Sequence, residues 1–419
     1  MEKLLITGGV PLVGELPVHG AKNSSLPLLA ATLLVGGKTV LHNCPNLTDV
    51  DAACKILTYL GCRIVRSGST VEVDATYISR FDVPDDLMRE MRSSIVFLGA
   101  IAARMRSAQI SFPGGCELGP RPIDLHLMGL RQLGLRIKEE YGLLDCKLDS
   151  KRFVGSRISF SFPSVGATEN IMIAAVTAIG QTVISNAAQE PEIVSLAEFL
   201  NLCGAKIYGA GESTIVIEGV PELHGTEYRV IPDRIVAVTY LCAAAATGGE
   251  ILLTDVLPDQ LDSVLPVFDQ MGCKLKTSER SVYLKAPLRL KAVKTIRTMP
   301  YPGFPTDAQA PIMTVTALAS GTTIFVENVF ENRYKHVGEL VRMGAHIKVE
   351  GKVAVVEGVR SLYGASVEAT DLRGGAALVV AGLAASGVTT VTNLFHIDRG
   401  YENLEANLAA LGARIHRER

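Results

Sequence analysis

The chain has 419 residues, 48% hydrophobic and 20% charged, with 41 Lys and Arg against 43 Asp and Glu and a net charge of −2. That length exceeds one ordinary core and predicts two domains of roughly 200 residues each. The apolar content excludes a disordered chain, and the charge balance excludes a chain-wide nucleic-acid binder, so an anionic ligand would need a local cluster of cations.

The N-terminal run MEKLLITGGVPLVGELPVHG has no long apolar stretch and no signal-peptide architecture. Gly20–Ser25 follows, a glycine turn with Lys22, Asn23 and two hydroxyls entering a helix at Leu26. It reads either as an anion site at a helix start or as a helix cap beside an exposed lysine. The GxxxxGK[ST] spacing of a phosphate loop is absent. An Ala-rich helix then runs into glycine and a β-branched strand, LLAATLLVGGKTVLHN. Next, Leu60-Gly61-Cys62-Arg63-Ile64 ends a helix at a glycine and starts a strand.

Both signatures recur. The second returns at glycines 134, 204, 272, 344 and 412, with spacings of 73, 70, 68, 72 and 68 residues. The first returns as AAVTAIGQTVISN, AAAATGGEILLTD, TALASGTTIFVEN and AGLAASGVTTVTN, and in divergent form as GAIAARMRSAQISFPGG. Each unit of about 70 residues therefore reads as a βαβαββ module, longer than the units of ordinary solenoids. Six modules in two domains suggest three in each.

Between these lie segments that look like chemistry. Arg92 sits near a helix start, where the helix dipole disfavours a cation unless an anion is bound or the side chain reaches solvent. The segment from Phe112 to His126, FPGGCELGPRPIDLH, is a Gly- and Pro-rich loop between a strand (Ala108–Phe112) and a helix (Ile123–Leu133). Cys116 lies at its tip without apolar periodicity, and Arg121 could lower its pKa, so it reads as a reactive thiol on a lid-like loop. The other seven cysteines of the eight lack CxxC or Cys/His metal spacing and read as reduced, mostly buried thiols. No metal site and no cofactor are expected. Pro163–Asn170 is a small-residue loop entering a helix, capped by Ser164 or Thr168. Asp307, after GFPT, reads from spacing as a helix cap, with general base as the alternative. Arg333, Arg373 and Arg399 each sit in a loop after a strand or before a helix, which suggests a pocket for carboxylate and phosphate groups. The apolar run Ala376–Ala385 is too short to span a bilayer. A cytoplasmic protein without nucleic-acid or membrane partners is expected, and a monomer is compatible with the sequence.

The stretches GAKNSSLPLLAA, PGGCELGPRPIDLH, FPTD, FENR, DLRGGAALVVAG and HIDRGYE, spread over essentially the whole chain, resemble the UDP-N-acetylglucosamine 1-carboxyvinyltransferase family of the EPSP synthase superfamily. The resemblance implies an α/β (α+β) fold of two inside-out α/β barrel domains, each of three βαβαββ repeats, with the active site in the interdomain cleft. One domain would be 1–21 with 231–419 and the other 22–230. It implies transfer of the enolpyruvyl group of phosphoenolpyruvate to the 3′-hydroxyl of UDP-N-acetylglucosamine, the first committed step of peptidoglycan and hence cell-wall biosynthesis.

The roles it implies are as follows. Lys22, Arg121 and Arg399 would hold the donor phosphate and the intermediate, and Arg333 and Arg373 the carboxylate side. Asn23, Arg92, Arg121, Pro122, Ile123, Asp124, Leu125, Phe162, Ser164, Val165, Asp307 and Val329 would contact the nucleotide sugar. Asp307 would take the proton of the 3′-hydroxyl, and Cys116 would act as general acid, site of a covalent pyruvate-derived adduct, or helper in product release. Fosfomycin, an epoxide, would alkylate Cys116. The sister transferase that accepts shikimate 3-phosphate lacks the PGGCELGPRP loop. A non-catalytic sensor of UDP-sugars is the rival from another class, and the presence of Lys22, Cys116, Asp307 and Arg399 argues against it.

Overall fold

A computed structural model describes residues 2–112 and 123–418. The module read from the glycine spacing is clearest at Arg157–Ser159, Val165–Ala175, Gln181–Ser185, Pro191–Leu202, Lys206–Tyr208 and Thr214–Glu218, which are strand, helix, strand, helix, strand and strand. Its strands form one sheet. Strand 157–159 lies parallel to 181–185, which pairs antiparallel with 214–218, itself antiparallel to 206–208. The described residues contain six four-stranded sheets, all with this order and these strand directions.

The six signature glycines explain how each module turns its corner. Gly61, Gly134, Gly204, Gly272, Gly344 and Gly412 have φ between 91° and 114°, a region that a side chain at Cα disfavours. After five of them the following residue donates back into the last helical turn, as Ala205 N–H does to the Leu200 carbonyl at 2.9 Å. The next strand therefore leaves each helix in the same direction.

The chain divides into two compact units, one of residues 2–19 with 232–418 and the other of 20–112 with 123–231. Each has its own hydrophobic core. Two strands are exchanged relative to chain order. Val13–Pro17 precedes the helix Lys22–Ala31 but pairs in parallel with Glu250–Thr254. Glu227–Arg229 precedes the helix Arg234–Thr247 but pairs in parallel with Lys38–His42. Lys3–Thr7 completes the last sheet between Val388–Thr392 and Arg414–Glu418.

In each unit the first helices of three modules pack against one another. They are Arg234–Thr247, Thr306–Ala317 and Leu372–Ala384 in one, and Lys22–Ala31, Phe97–Met105 and Val165–Ala175 in the other. These helices are buried nearly all round, and Ala, Gly, Ser and Thr allow the close approach that such an interior needs. The inner helices thus form the core and the sheets its coat. Lys22, Asn23, Ser164, Val165, Asp307 and Arg373 fall where an inner helix begins.

Candidate functional site

In the unit of residues 2–19 and 232–418, Asp307 is the second residue of the helix Thr306–Ala317. It does not cap that helix, contrary to the reading from spacing; the N-cap is Pro305. Two guanidinium groups occupy its carboxylate instead. Arg333 Nη2 donates to Oδ1 at 2.8 Å, and Arg373 donates to Oδ2 from Nε at 3.3 Å and Nη2 at 3.2 Å. Both arginine side chains are 2% exposed, against 26% for Asp307. They are not solvated loop arginines. Arg373 lies in the first turn of Leu372–Ala384, whose N-cap Asp371 accepts from the Arg373 and Gly374 N–H groups. Arg333 also donates to the Thr306 carbonyl at 3.2 and 3.1 Å, which fixes it to the backbone beside Asp307.

Burial opposes the charge on Arg373, but Tyr401, Asp307 and Asp233 outweigh it and hold the group above the usual arginine range. Arg373 lies 5.4 Å from the Tyr401 ring, and its Nη1 is buried without a hydrogen-bond partner. Beneath Arg333, His336 is fully buried, and burial takes its pKa down to about 4 despite Asp371 nearby. The imidazole is therefore neutral near pH 7.

Glu327 was not singled out by sequence. It stands where four other modules have Asn or Asp after the strand, and it is 1% exposed. Its carboxylate accepts from Thr298 and Thr306 hydroxyls at 2.9 and 3.0 Å, and from the Val329 and Phe330 N–H groups at 2.9 and 3.1 Å. It thereby sets both the loop at Val329 and the start of the Asp307 helix. Arg399 follows the short helix Phe395–Asp398 and is half-buried. Arg417 grips the neighbouring Asp398 at 2.6 and 3.0 Å and reaches Glu405 at 2.8 Å and Glu2 at 3.1 Å.

In the other unit, Lys22 opens its inner helix but is not an exposed lysine. It is buried and pairs with Asp49, itself 1% exposed, at 2.7 Å. Ser24 and Ser25 turn inward rather than toward an anion. Ser24 shares a hydrogen bond with Ser195 at 2.8 Å, and Ser25 donates to the Ala21 carbonyl at 2.9 Å. Asn23 is half-buried, and Arg92 begins the short 3-10 turn Arg92–Val96.

Ile123, Asp124 and Leu125 lie at the start of the helix Asp124–Gln132. They line a cavity of about 620 Å³ together with Phe112, Met128 and Arg131. Phe162 is exposed, and Ser164 caps the helix that begins at Val165. Cys116, Arg121 and Pro122 lie outside the described residues. The seven described cysteines are free; six are buried and Cys54 is half-buried. Burial pushes the thiols of Cys54, Cys62, Cys146, Cys203 and Cys273 up to about 12. Among the described residues no His, Cys, Asp and Glu group could hold a metal ion, and no helix is long and apolar enough to cross a membrane.

The fold is that of the EPSP synthase class of carboxyvinyl transferases. The family model described as EPSP synthase (3-phosphoshikimate 1-carboxyvinyltransferase) matches residues 6–408. The enolpyruvyl transferase NikO from Streptomyces tendae aligns with a TM-score of 0.90 at 26% identity, over 99% of this chain and 98% of that one. EPSP synthase from Acinetobacter baumannii shares the fold, with a TM-score of 0.79 at 18% identity over 100% of both chains. In sequence, UDP-N-acetylglucosamine 1-carboxyvinyltransferase 2 of Caldanaerobacter subterraneus subsp. tengcongensis is 55% identical over 415 residues, covering 99% of each chain. The chain belongs to the UDP-N-acetylglucosamine 1-carboxyvinyltransferase family.

Proposed function

We propose that this transferase moves the enolpyruvyl group of phosphoenolpyruvate to the 3′-hydroxyl of UDP-N-acetylglucosamine and releases phosphate. The observation that carries this reading beyond family membership is the Asp307 carboxylate, shared by two buried guanidinium groups. The reaction needs a base beside a fixed cluster of positive charge. The methylene carbon of phosphoenolpyruvate takes a proton, and the 3′-oxygen attacks the resulting cationic carbon and loses its own proton. The tetrahedral adduct then loses a methyl proton and expels phosphate.

In this scheme Arg333 and Arg373 receive the donor carboxylate, and Lys22, Arg121 and Arg399 receive its phosphate. Asp307 accepts the hydroxyl proton, and Cys116 serves the protonation or the release of product. The donor carboxylate competes with Asp307 for the same guanidinium groups. Binding of the donor therefore loosens Asp307 and frees it to act as base. Ile123, Asp124, Leu125, Phe162, Ser164 and Val165 hold the nucleotide sugar, with Asn23, Arg92, Pro122 and Val329 completing its contacts. A cytoplasmic location fits this reading, since seven free thiols suit a reducing compartment.

Phosphate release from phosphoenolpyruvate, measured with UDP-N-acetylglucosamine, with shikimate 3-phosphate and with neither, tests the reading. Release only with UDP-N-acetylglucosamine is expected. Release with shikimate 3-phosphate alone would refute the acceptor, and binding of UDP-N-acetylglucosamine with no release would refute the reaction.

A further inference from the structure

Most of the nucleotide-sugar contacts proposed above fall on three segments of one unit. These are the turn Arg92–Val96, the start of the helix Asp124–Gln132, and the loop Phe162–Val165 that opens the helix Val165–Ala175. One side chain joins all three. Asn170 is fully buried on the helix 165–175. Its Nδ2 donates to the Ile95 carbonyl, in the turn that starts at Arg92, at 2.9 Å. The same amide lies 3.1 Å from His126 Nδ1, on the helix that starts at Asp124. Its Oδ1 accepts from the Gly99 N–H at 2.8 Å.

Each of these contacts needs an amide. Two donors and one acceptor are used at once, and no carboxylate, hydroxyl or apolar side chain of this size offers that set. His126 is enclosed by protein and burial takes its pKa down to about 4, with Asp124 opposing. The ring is therefore neutral, and Nδ1 can accept from the amide while Nε2 carries the proton. The surroundings are cut to fit. A Cβ at Gly99 would stand 2.4 Å from Asn170 Oδ1, and one at Gly166 would stand 3.1 Å from the His126 ring. The amide cannot shift without moving the turn, the helix start, or both.

We infer that Asn170 is a positioning residue for the nucleotide-sugar acceptor, acting through His126 and the Ile95 carbonyl to hold three contact segments in register. The inference rests on the functional reading above. Asn170→Asp keeps the shape and the acceptor to Gly99 but removes both donors. His126→Phe removes the acceptor from the other side and serves if the first variant fails to fold. Steady-state kinetics of phosphate release are measured for both variants and wild type, with melting temperatures alongside. The expected result is a KM for UDP-N-acetylglucosamine raised about ten- to hundredfold, with kcat and the KM for phosphoenolpyruvate held within about threefold. Wild-type KM values, or a parallel fall of all parameters with the melting temperature, would overturn the proposal. Absence of UDP-N-acetylglucosamine-dependent release in the wild type would refute the functional reading itself, and the proposal with it.

Discussion

Replacing Asp307 by Asn should slow turnover and tighten binding of the donor. The carboxylate lies 2.8 Å from Arg333 and 3.2 Å from Arg373. At an effective dielectric of about 20, one such contact corresponds to roughly 5 kcal/mol of Coulomb attraction. Asp307 is 26% exposed, so solvent screens much of this. About 1.5 kcal/mol per contact is a reasonable residue of it, between the values for exposed and buried pairs. A donor carboxylate arriving at Arg373 must displace one such contact in the wild type and none in Asp307→Asn. Phosphoenolpyruvate should therefore bind about tenfold tighter to the variant, while kcat falls by about 10²–10⁴ through loss of the base. Equilibrium dialysis of labelled phosphoenolpyruvate, with stopped-flow phosphate release, measures both quantities. Weaker or unchanged donor binding in the variant would refute the idea that Asp307 and the donor share the guanidinium groups.

Three further outcomes are expected. Thr39, Thr182, Thr323 and Thr389 hold the same second position of the equivalent strand in four modules. All four hydroxyls are buried without a partner. The other two modules have Ala108 and Ile251 there, so Thr182→Val should stabilise its unit by about 0.5–1.5 kcal/mol. Urea unfolding would show this, and a loss of stability would refute it. Glu169 is held well above the usual carboxylate range, first by burial and then by Glu192 and Glu190. An acid with a raised folded pKa contributes fully below its unfolded value of about 4.3, and that contribution is lost as pH rises towards the folded value. Glu169→Gln should therefore raise the melting temperature by a few degrees at pH 8 and change it little near pH 4; an equal shift at both would contradict the assignment. Arg417→Met should release Asp398 beside Arg399 and lower kcat/KM for phosphoenolpyruvate about tenfold, with the KM for UDP-N-acetylglucosamine unchanged. Wild-type kinetics would disconnect that ion cluster from the site.

The modules were legible because their punctuation is local. A left-handed residue at a helix C-terminus is a requirement of one position, and glycine meets it at Gly61, Gly134, Gly204, Gly272, Gly344 and Gly412. The resemblance to a known family likewise rested on short contiguous motifs. The chemistry around those motifs was less legible. Asp307 read as a cap because sequence shows the helix start but not what faces it. Its partners lie 26 and 66 residues away. The segment with Ser24 and Ser25 read equally as an anion site or as a helix cap, because spacing does not say which side of a helix is buried.

The two exchanged strands carry no mark of their partners. Parallel pairing of 13–17 with 250–254 and of 227–229 with 38–42 joins segments nearly 200 residues or more apart, and alternation is the same whichever sheet is chosen. Asn170 and Glu327 are the same case among side chains, since their value lies in partners that only the packed inner helices and their loops assemble. The sequence by itself determined the repeating unit, the helix ends and the residue types available for the chemistry, because each is specified within a few neighbouring positions. The tertiary structure alone decided which arginines share Asp307 and which segments Asn170 holds together, because burial and hydrogen-bond satisfaction are properties of the assembled core.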